Sequence, residues 1–187
     1  MEGHYSDENE NKIIQRILAG ERDAFALIVD RYKEAIFNLA YRMTGNYDDA
    51  NDLSQEAFFR AYRKLGYYKT DHKFFTWLYT ISLNLIRNHL RKRKFEKLLQ
   101  WGAETHDNAA VNDSPGSSEQ ELIMGEDAAR LNKHLLTLPP GIREALVLRY
   151  FQNLSFEEIA VIAGISLSAA KMRVYRGIEK LHGLLRG

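Results

Sequence analysis

Apolar positions in the first part of the chain recur every three or four residues. Ile13, Ile14, Ile17 and Leu18 are followed by Phe25, Ile28, Val29, Tyr32, Ile36, Leu39, Ala40 and Met43. That spacing predicts two amphipathic helices, punctuated by "AGERDAF". "TGNYDDA" closes the second, with Gly45 as its C-terminal cap and Asp48 or Asp49 opening the next. A third helix is predicted from about Ala50 to Leu65, burying Ala50, Leu53, Ala57 and Ala61. "GYYKTDHK" is a loop, and a long helix follows from about Phe74 to Leu99. The only prolines are Pro115, Pro139 and Pro140, so no proline interrupts these elements. "ETHDNAAVNDSPGSSEQE" is polar and acidic and reads as a flexible linker. Helical patterning resumes near Glu119 and runs into "LLTLPPG", and no useful β-alternation occurs anywhere. The expectation is an all-α protein of two small helical domains, 1–99 and 126–187, joined by a flexible acidic linker over 100–125.

The clearest local signal is "LSFEEIAVIAGISLSAAKMRVYRGIEKL". Ser155 with Glu158 three residues on is a capping box. Ile159, Ala160, Ile162 and Ala163 form the buried face of a short helix, Gly164 allows a tight turn, and Ile165 plugs the core. Ser166 or Ser168 caps the next helix, whose stripe is Ala170, Val174, Ile178 and Leu181. This is the pattern of a helix-turn-helix. At 100° per residue the opposite face of the second helix carries Ser168, Ala169, Met172, Tyr175 and Arg176, flanked by Arg173 and Lys171. Arginines there suit guanine edges or phosphates.

Charge sharpens the picture. Net charge is only +1, but it is segregated. Residues 61–97 hold 10 Lys/Arg against 2 Asp/Glu, and residues 130–187 hold 9 against 4. Residues 1–60 and 98–129 are acidic. Two basic blocks suggest two contacts with a polyanion. The absence of cysteine excludes disulfides, thiolate metal sites and a cysteine nucleophile. The polar start "MEGHYSDENENK" is no signal peptide, and the apolar run Phe74–Ile86 is too short and polar to span a bilayer. A soluble, cytoplasmic protein without membrane insertion is expected. In the third helix Asp52, Gln55, Glu56, Phe59 and Arg63 share a face, either plain surface or a docking site. No histidine stands at ligand spacing beside those carboxylates, and Arg60 and Arg63 pair with them locally. No catalytic set, metal site or cofactor is expected.

In combination, "DANDLSQEAFFRAY", "FFTWLYTISLNLIRNHLRK", the acidic linker and "LPPGIREALVLRYFQNLSFEEIAVIAGISLSAAKMRVYRGIEKL" resemble the extracytoplasmic-function (ECF) sigma factors of bacterial RNA polymerase, from about Gln15 to Leu184. The resemblance implies a sigma region 2 joined directly to a sigma region 4, acting without catalysis in promoter-specific initiation. It implies that Asp52, Gln55, Glu56 and Phe59 dock on the clamp helices of the large subunit of core polymerase. It implies that the segment from Tyr67 to Lys94 recognises and opens the −10 element, through Tyr67, Tyr68, Lys69, His72, Phe75, Asn84, Arg87 and Arg91. It implies that Ser168, Lys171, Met172, Arg173, Tyr175 and Arg176 read the double-stranded −35 element, and that an anti-sigma factor covers these surfaces.

The physics of opening agrees with that division. Unstacking costs on the order of 1.4 kcal/mol per base-pair step, and an aromatic platform returns roughly 1–3 kcal/mol per stacked base. Tyr67, Tyr68, Phe74, Phe75 and Trp77 are suitable rings, though Trp77 and Leu78 are expected in the core. The loop residues Tyr67, Tyr68, Lys69 and His72 are better placed for a strand. Asn84 offers donor and acceptor to a base edge. Arg87, Arg91, Lys92, Arg93 and Lys94 suit phosphates. Two departures from the family pattern stand out. "SLSAAKMR" replaces the usual start of the recognition helix, so Met172 meets the groove where a small polar residue is usual. Asn88 stands where an aspartate is common, which favours phosphate binding. The competing class is a helix-turn-helix regulator with a ligand-sensing or dimerising N-terminal half. Such a protein does not need the first basic block with its aromatic loop.

Overall fold

The computed structural model of the protein describes residues 7–69, 73–103 and 126–186. Among them every regular element is helical. The N-terminal half holds α1 (Asp7–Leu18), α2 (Phe25–Thr44), α3 (Tyr47–Lys64) and α4 (Phe74–Ala103). The C-terminal half holds α5 (Glu126–Thr137), α6 (Pro140–Leu146), α7 (Phe156–Ala163) and α8 (Leu167–Arg186). Of the linker expected over 100–125, residues 100–103 belong to the end of α4 and 104–125 lie outside the described residues.

Local chemistry sets the boundaries. Gly45 ends α2 in the left-handed region, φ 71°, and its N–H donates to the Tyr41 carbonyl. The next helix is opened by Asn46, not by Asp48 or Asp49. The Asn46 side chain accepts from the Asp49 N–H at 2.8 Å, and the two aspartates sit in the first turn. There they face the helix dipole without capping it. Pro140 occupies the first turn of α6, where its missing N–H costs nothing. That helix runs on through a widened π turn, Val147–Phe151, a single-turn irregularity that hydrophobic periodicity does not signal. Two hydroxyls within α4 are satisfied on the helix itself: Ser82 donates to the Leu78 carbonyl at 2.9 Å and Thr80 to that of Thr76 at 2.7 Å.

The two halves do not hang apart. One apolar core runs from Ile14, Ile28, Leu39, Met43, Leu78 and Leu83 into Val147, Leu148, Ile159 and Ile162. A second, smaller cluster of Leu135, Leu138, Ala145, Leu146 and Val174 lies within the C-terminal half. Polar ties cross the same interface. Buried Arg143 donates to the Met43 carbonyl at the end of α2, and to those of Leu136 (2.8 Å) and Leu138 (3.2 Å). The π turn delivers Phe151 under the Arg42 guanidinium, 3.6 Å from the ring centroid, and Gln152 to the Ala35 carbonyl at 3.3 Å. Burial lowers the pKa of both arginines from the ordinary value.

Candidate nucleic-acid interface

The first surface lies on α3. Ala50, Ala57 and Ala61 are fully buried, Leu53 is half-buried, and Phe58, not anticipated, is buried too. That orientation leaves Asp52, Gln55 and Phe59 exposed on one face. Glu56 beside them is held by Arg60 at 2.6 Å, and the Arg63 guanidinium stands 5.6 Å from the Phe59 ring centroid. A half-exposed aromatic ringed by polar groups suits a protein partner. Among the described residues no group of three or more His, Asp or Glu is placed to hold a metal ion.

The second surface begins in the loop before α4. Tyr67 is 85% exposed and Lys69 is exposed. Tyr68, expected to be open to a strand, is instead only 8% exposed. Its ring meets Phe74 edge-on at 5.3 Å and Trp77 at 5.4 Å. Tyr67 ends a short 3₁₀ turn, Leu65–Tyr67, and Tyr68 follows it in extended backbone, so one stands clear while the other anchors the loop. His72 lies outside the described residues. Phe74 is core, whereas Phe75 and Trp77 are half-buried. Phe75 lies edge-on to Tyr79, with Lys73 Nζ 5.5 Å from its centroid. Asn84 is exposed one face round the helix.

The cations of α4 are not all open. Arg91 is exposed and accompanied by the Asn88 side-chain oxygen. Arg93 is paired with Asp49 at 2.6 Å, which ties α4 to the start of α3. Arg87, read from sequence as a phosphate contact, grips Glu144 of the C-terminal half through Nε at 2.9 Å and Nη2 at 2.6 Å. Nothing in the spacing of α4 could have shown that pairing, because its partner is 57 residues away.

The third surface is the helix-turn-helix. Ser155 and Glu158 form the reciprocal capping box, at 3.1 and 2.9 Å, and Gly164 turns the chain at φ 66°. Ser166 resolves the open choice of cap: its Oγ accepts from the Ala169 N–H at 3.2 Å. Burial on α8 runs through Ala170, Val174 and Gly177, with Ile178 39% exposed. Periodicity chose Ile178 for its side chain, but Leu146 and Ile142 of α6 pack so closely that only Gly177 fits there. The face away from them exposes Ser168, Lys171, Met172, Tyr175 and Arg176. Arg173, half-buried, lays its guanidinium against Gly141. Phe156 braces the exposed side chains, with Tyr175 at 6.2 Å and Lys171 Nζ at 5.9 Å from its ring centroid.

Comparison with known proteins matches this layout. Residues 28–96 fit the Sigma-70 region 2 family model and residues 129–181 fit Sigma-70, region 4. The ECF RNA polymerase sigma factor SigW of Bacillus subtilis is 38% identical, over 94% of this chain and 96% of that one. The RNA polymerase sigma-H factor of Pseudomonas aeruginosa is 31% identical over 97% and 96%. Among solved structures, CnrH in complex with the cytosolic domain of CnrY superposes with a TM-score of 0.71 at 25% identity, covering 93% of this chain and 95% of that one. The α3 face, the aromatic loop with its basic helix and the capped helix-turn-helix thus sit within one family's two regions, and the chain belongs to the ECF RNA polymerase sigma factors.

Proposed function

We propose that the chain is an alternative sigma subunit that binds core RNA polymerase, selects promoters by their −10 and −35 elements and helps open the duplex. The observation that carries this is the pairing, in one chain, of a duplex-reading helix with a separate basic helix fronted by an exposed aromatic loop. A duplex-only regulator has no use for the second feature. Asp52, Gln55, Glu56 and Phe59 form the docking face for the clamp helices. Tyr67, Lys69, Phe75, Asn84, Arg87 and Arg91 handle the opened strand, with Tyr68 moved from strand contact to loop support. Ser168, Lys171, Met172, Arg173, Tyr175 and Arg176 form the −35 face. Met172, 51% exposed, offers an apolar surface to a thymine methyl where no hydrogen bond to a base edge is made.

The protein does no chemistry of its own in this reading; polymerase supplies the catalysis. It works in the cytoplasm, and among the described residues no helix is long and apolar enough to cross a membrane. Its controller in this reading is an anti-sigma factor covering these same surfaces; the structural neighbour CnrH is likewise held in complex with another protein, the cytosolic domain of CnrY. The test is strand opening by reconstituted holoenzyme, read as permanganate reactivity of promoter thymines. Asn84→Ala should lower that reactivity while core binding is unchanged. Equal loss of both would refute Asn84 as a base reader.

A further inference from the structure

Phe156 opens α7 directly after the Ser155 cap, but its ring does not serve that helix alone. The side chain is half-buried and packs against both apolar clusters, so the ring is anchored in the core. The Arg149 guanidinium carbon stands 4.9 Å from its centroid. Arg149 is itself fixed, because its Nη1 donates at 2.8 Å to the carbonyl of Leu154, just upstream of Phe156. A ring seated between packed apolar side chains and a tethered guanidinium has little freedom to move.

The same ring also meets α8. Lys171 and Tyr175 are exposed and lie four residues apart, one turn along one side of that helix. The Tyr175 ring centroid is 6.2 Å from that of Phe156, with the planes inclined by 46°, and Lys171 Nζ is 5.9 Å from it. Both separations fall within reach of ring–ring and cation–ring attraction. A lysine and a tyrosine on an open helix face otherwise sample several rotamers, and freezing them at an interface costs affinity. Side chains already held lose less on binding. They are also held in one place, so a DNA sequence gains only if it offers a partner there; any other sequence must first draw them off the ring. Arg173 of the same helix is placed differently, with its guanidinium against Gly141 of α6.

We infer that Phe156, which lies outside the recognition helix, is a positioning residue that sets discrimination at the −35 element by holding Lys171 and Tyr175 in their reading positions. This rests on the assignment of Lys171 and Tyr175 to the −35 face made above. Phe156 acts through these two side chains and needs no contact with a base.

The test uses holoenzyme reconstituted with the full chain. Promoter duplexes carry the −35 element that the parent selects from a randomised library, or single-base variants of it. Phe156→Leu keeps the apolar bulk and removes the ring face. Its preference for the selected element over the variants should fall about three- to ten-fold. Phe156→Tyr keeps the ring and should match the parent. Adding Phe156→Leu to Lys171→Ala with Tyr175→Ala should cause no further fall, whereas Arg173→Ala should cost the same fold in the parent and in Phe156→Leu. That pair of cycles separates positioning from a general disturbance of α8, which would change the Arg173 result too. Urea unfolding checks that Phe156→Leu is folded, and Phe156→Met replaces it if it is not. Parental discrimination in the folded variant, a further fall in the triple variant or an altered Arg173 cost would overturn the inference. The −35 reading itself fails separately: Lys171→Ala with Tyr175→Ala would then leave discrimination unchanged, whatever Phe156 does.

Discussion

Two glycines of α8 make opposite predictions for the same substitution. A methyl group on Gly177 would lie 2.7 Å from Cγ and Cδ1 of Leu146 and 3.0 Å from Cγ2 of Ile142. Leu146 is 2% exposed and packed with Leu135, Leu138, Ala145 and Val174, so it has nowhere to retreat. Overpacking of this kind costs about 1–3 kcal/mol. Alanine in a helix interior offsets up to about 1 kcal/mol of that. Gly177→Ala should therefore destabilise the chain by about 1–2 kcal/mol, lowering Tm by roughly 2–8 °C at this length. A methyl group on Gly183, six residues on in the same helix, meets no heavy atom within 4 Å. There only the propensity remains, and Gly183→Ala should stabilise by about 0.5 kcal/mol near a fraying end. The assay is urea and thermal unfolding followed by circular dichroism, with both variants beside the parent. If Gly177→Ala is as stable as Gly183→Ala, the close seating of α8 on α6 is wrong, and with it the orientation of the face proposed to read the −35 element.

Other outcomes follow from single contacts. Asn46→Ala removes the cap of α3 and should cost about 1 kcal/mol in urea unfolding, whereas Asp48→Ala, which caps nothing, should cost less. Glu158 is pushed up by burial, but the Ser155 N–H and Lys73 more than offset this, and its carboxyl lies below the ordinary 4.5. A depressed folded value means its stabilisation is complete above that ordinary value and is lost as pH falls through the lower folded one. The parent should therefore lose more stability than Glu158→Gln between about pH 6 and about pH 3; parallel losses would count against it. Arg176→Ala should cost about 1–3 kcal/mol at the cognate upstream element in binding titrations, and a uniform loss on all duplexes would make it a phosphate contact.

The local elements were legible because their signals are local. Gly45, the Ser155–Glu158 box and Gly164 each act within one turn, and the structure keeps all three. Tyr68 and Ile178 misled for a common reason. Composition and period say that an aromatic or aliphatic residue is present, but the neighbouring element decides which way it faces. Phe74 and Trp77 claim Tyr68, and Leu146 leaves room only for Gly177. The interface between the halves was hidden altogether. Arg87 reads as one more cation in a basic run, and Glu144 as one more charge in "GIREAL". Their meeting depends on how α4 and α6 cross. Likewise, Arg143 looks like a surface residue until the ends of α2 and α5 are seen to converge on it.

The three surfaces together make promoter-directed initiation the chain's task. Run-off transcription with purified bacterial core polymerase, with and without this chain, on a library of genomic fragments tests it most directly. Discrete transcripts, each with its own start site, should appear only when the chain is added. They should disappear when Phe59 of the α3 face is changed to alanine in a folded variant. No chain-dependent start site on any fragment would rule out promoter-directed initiation by this chain.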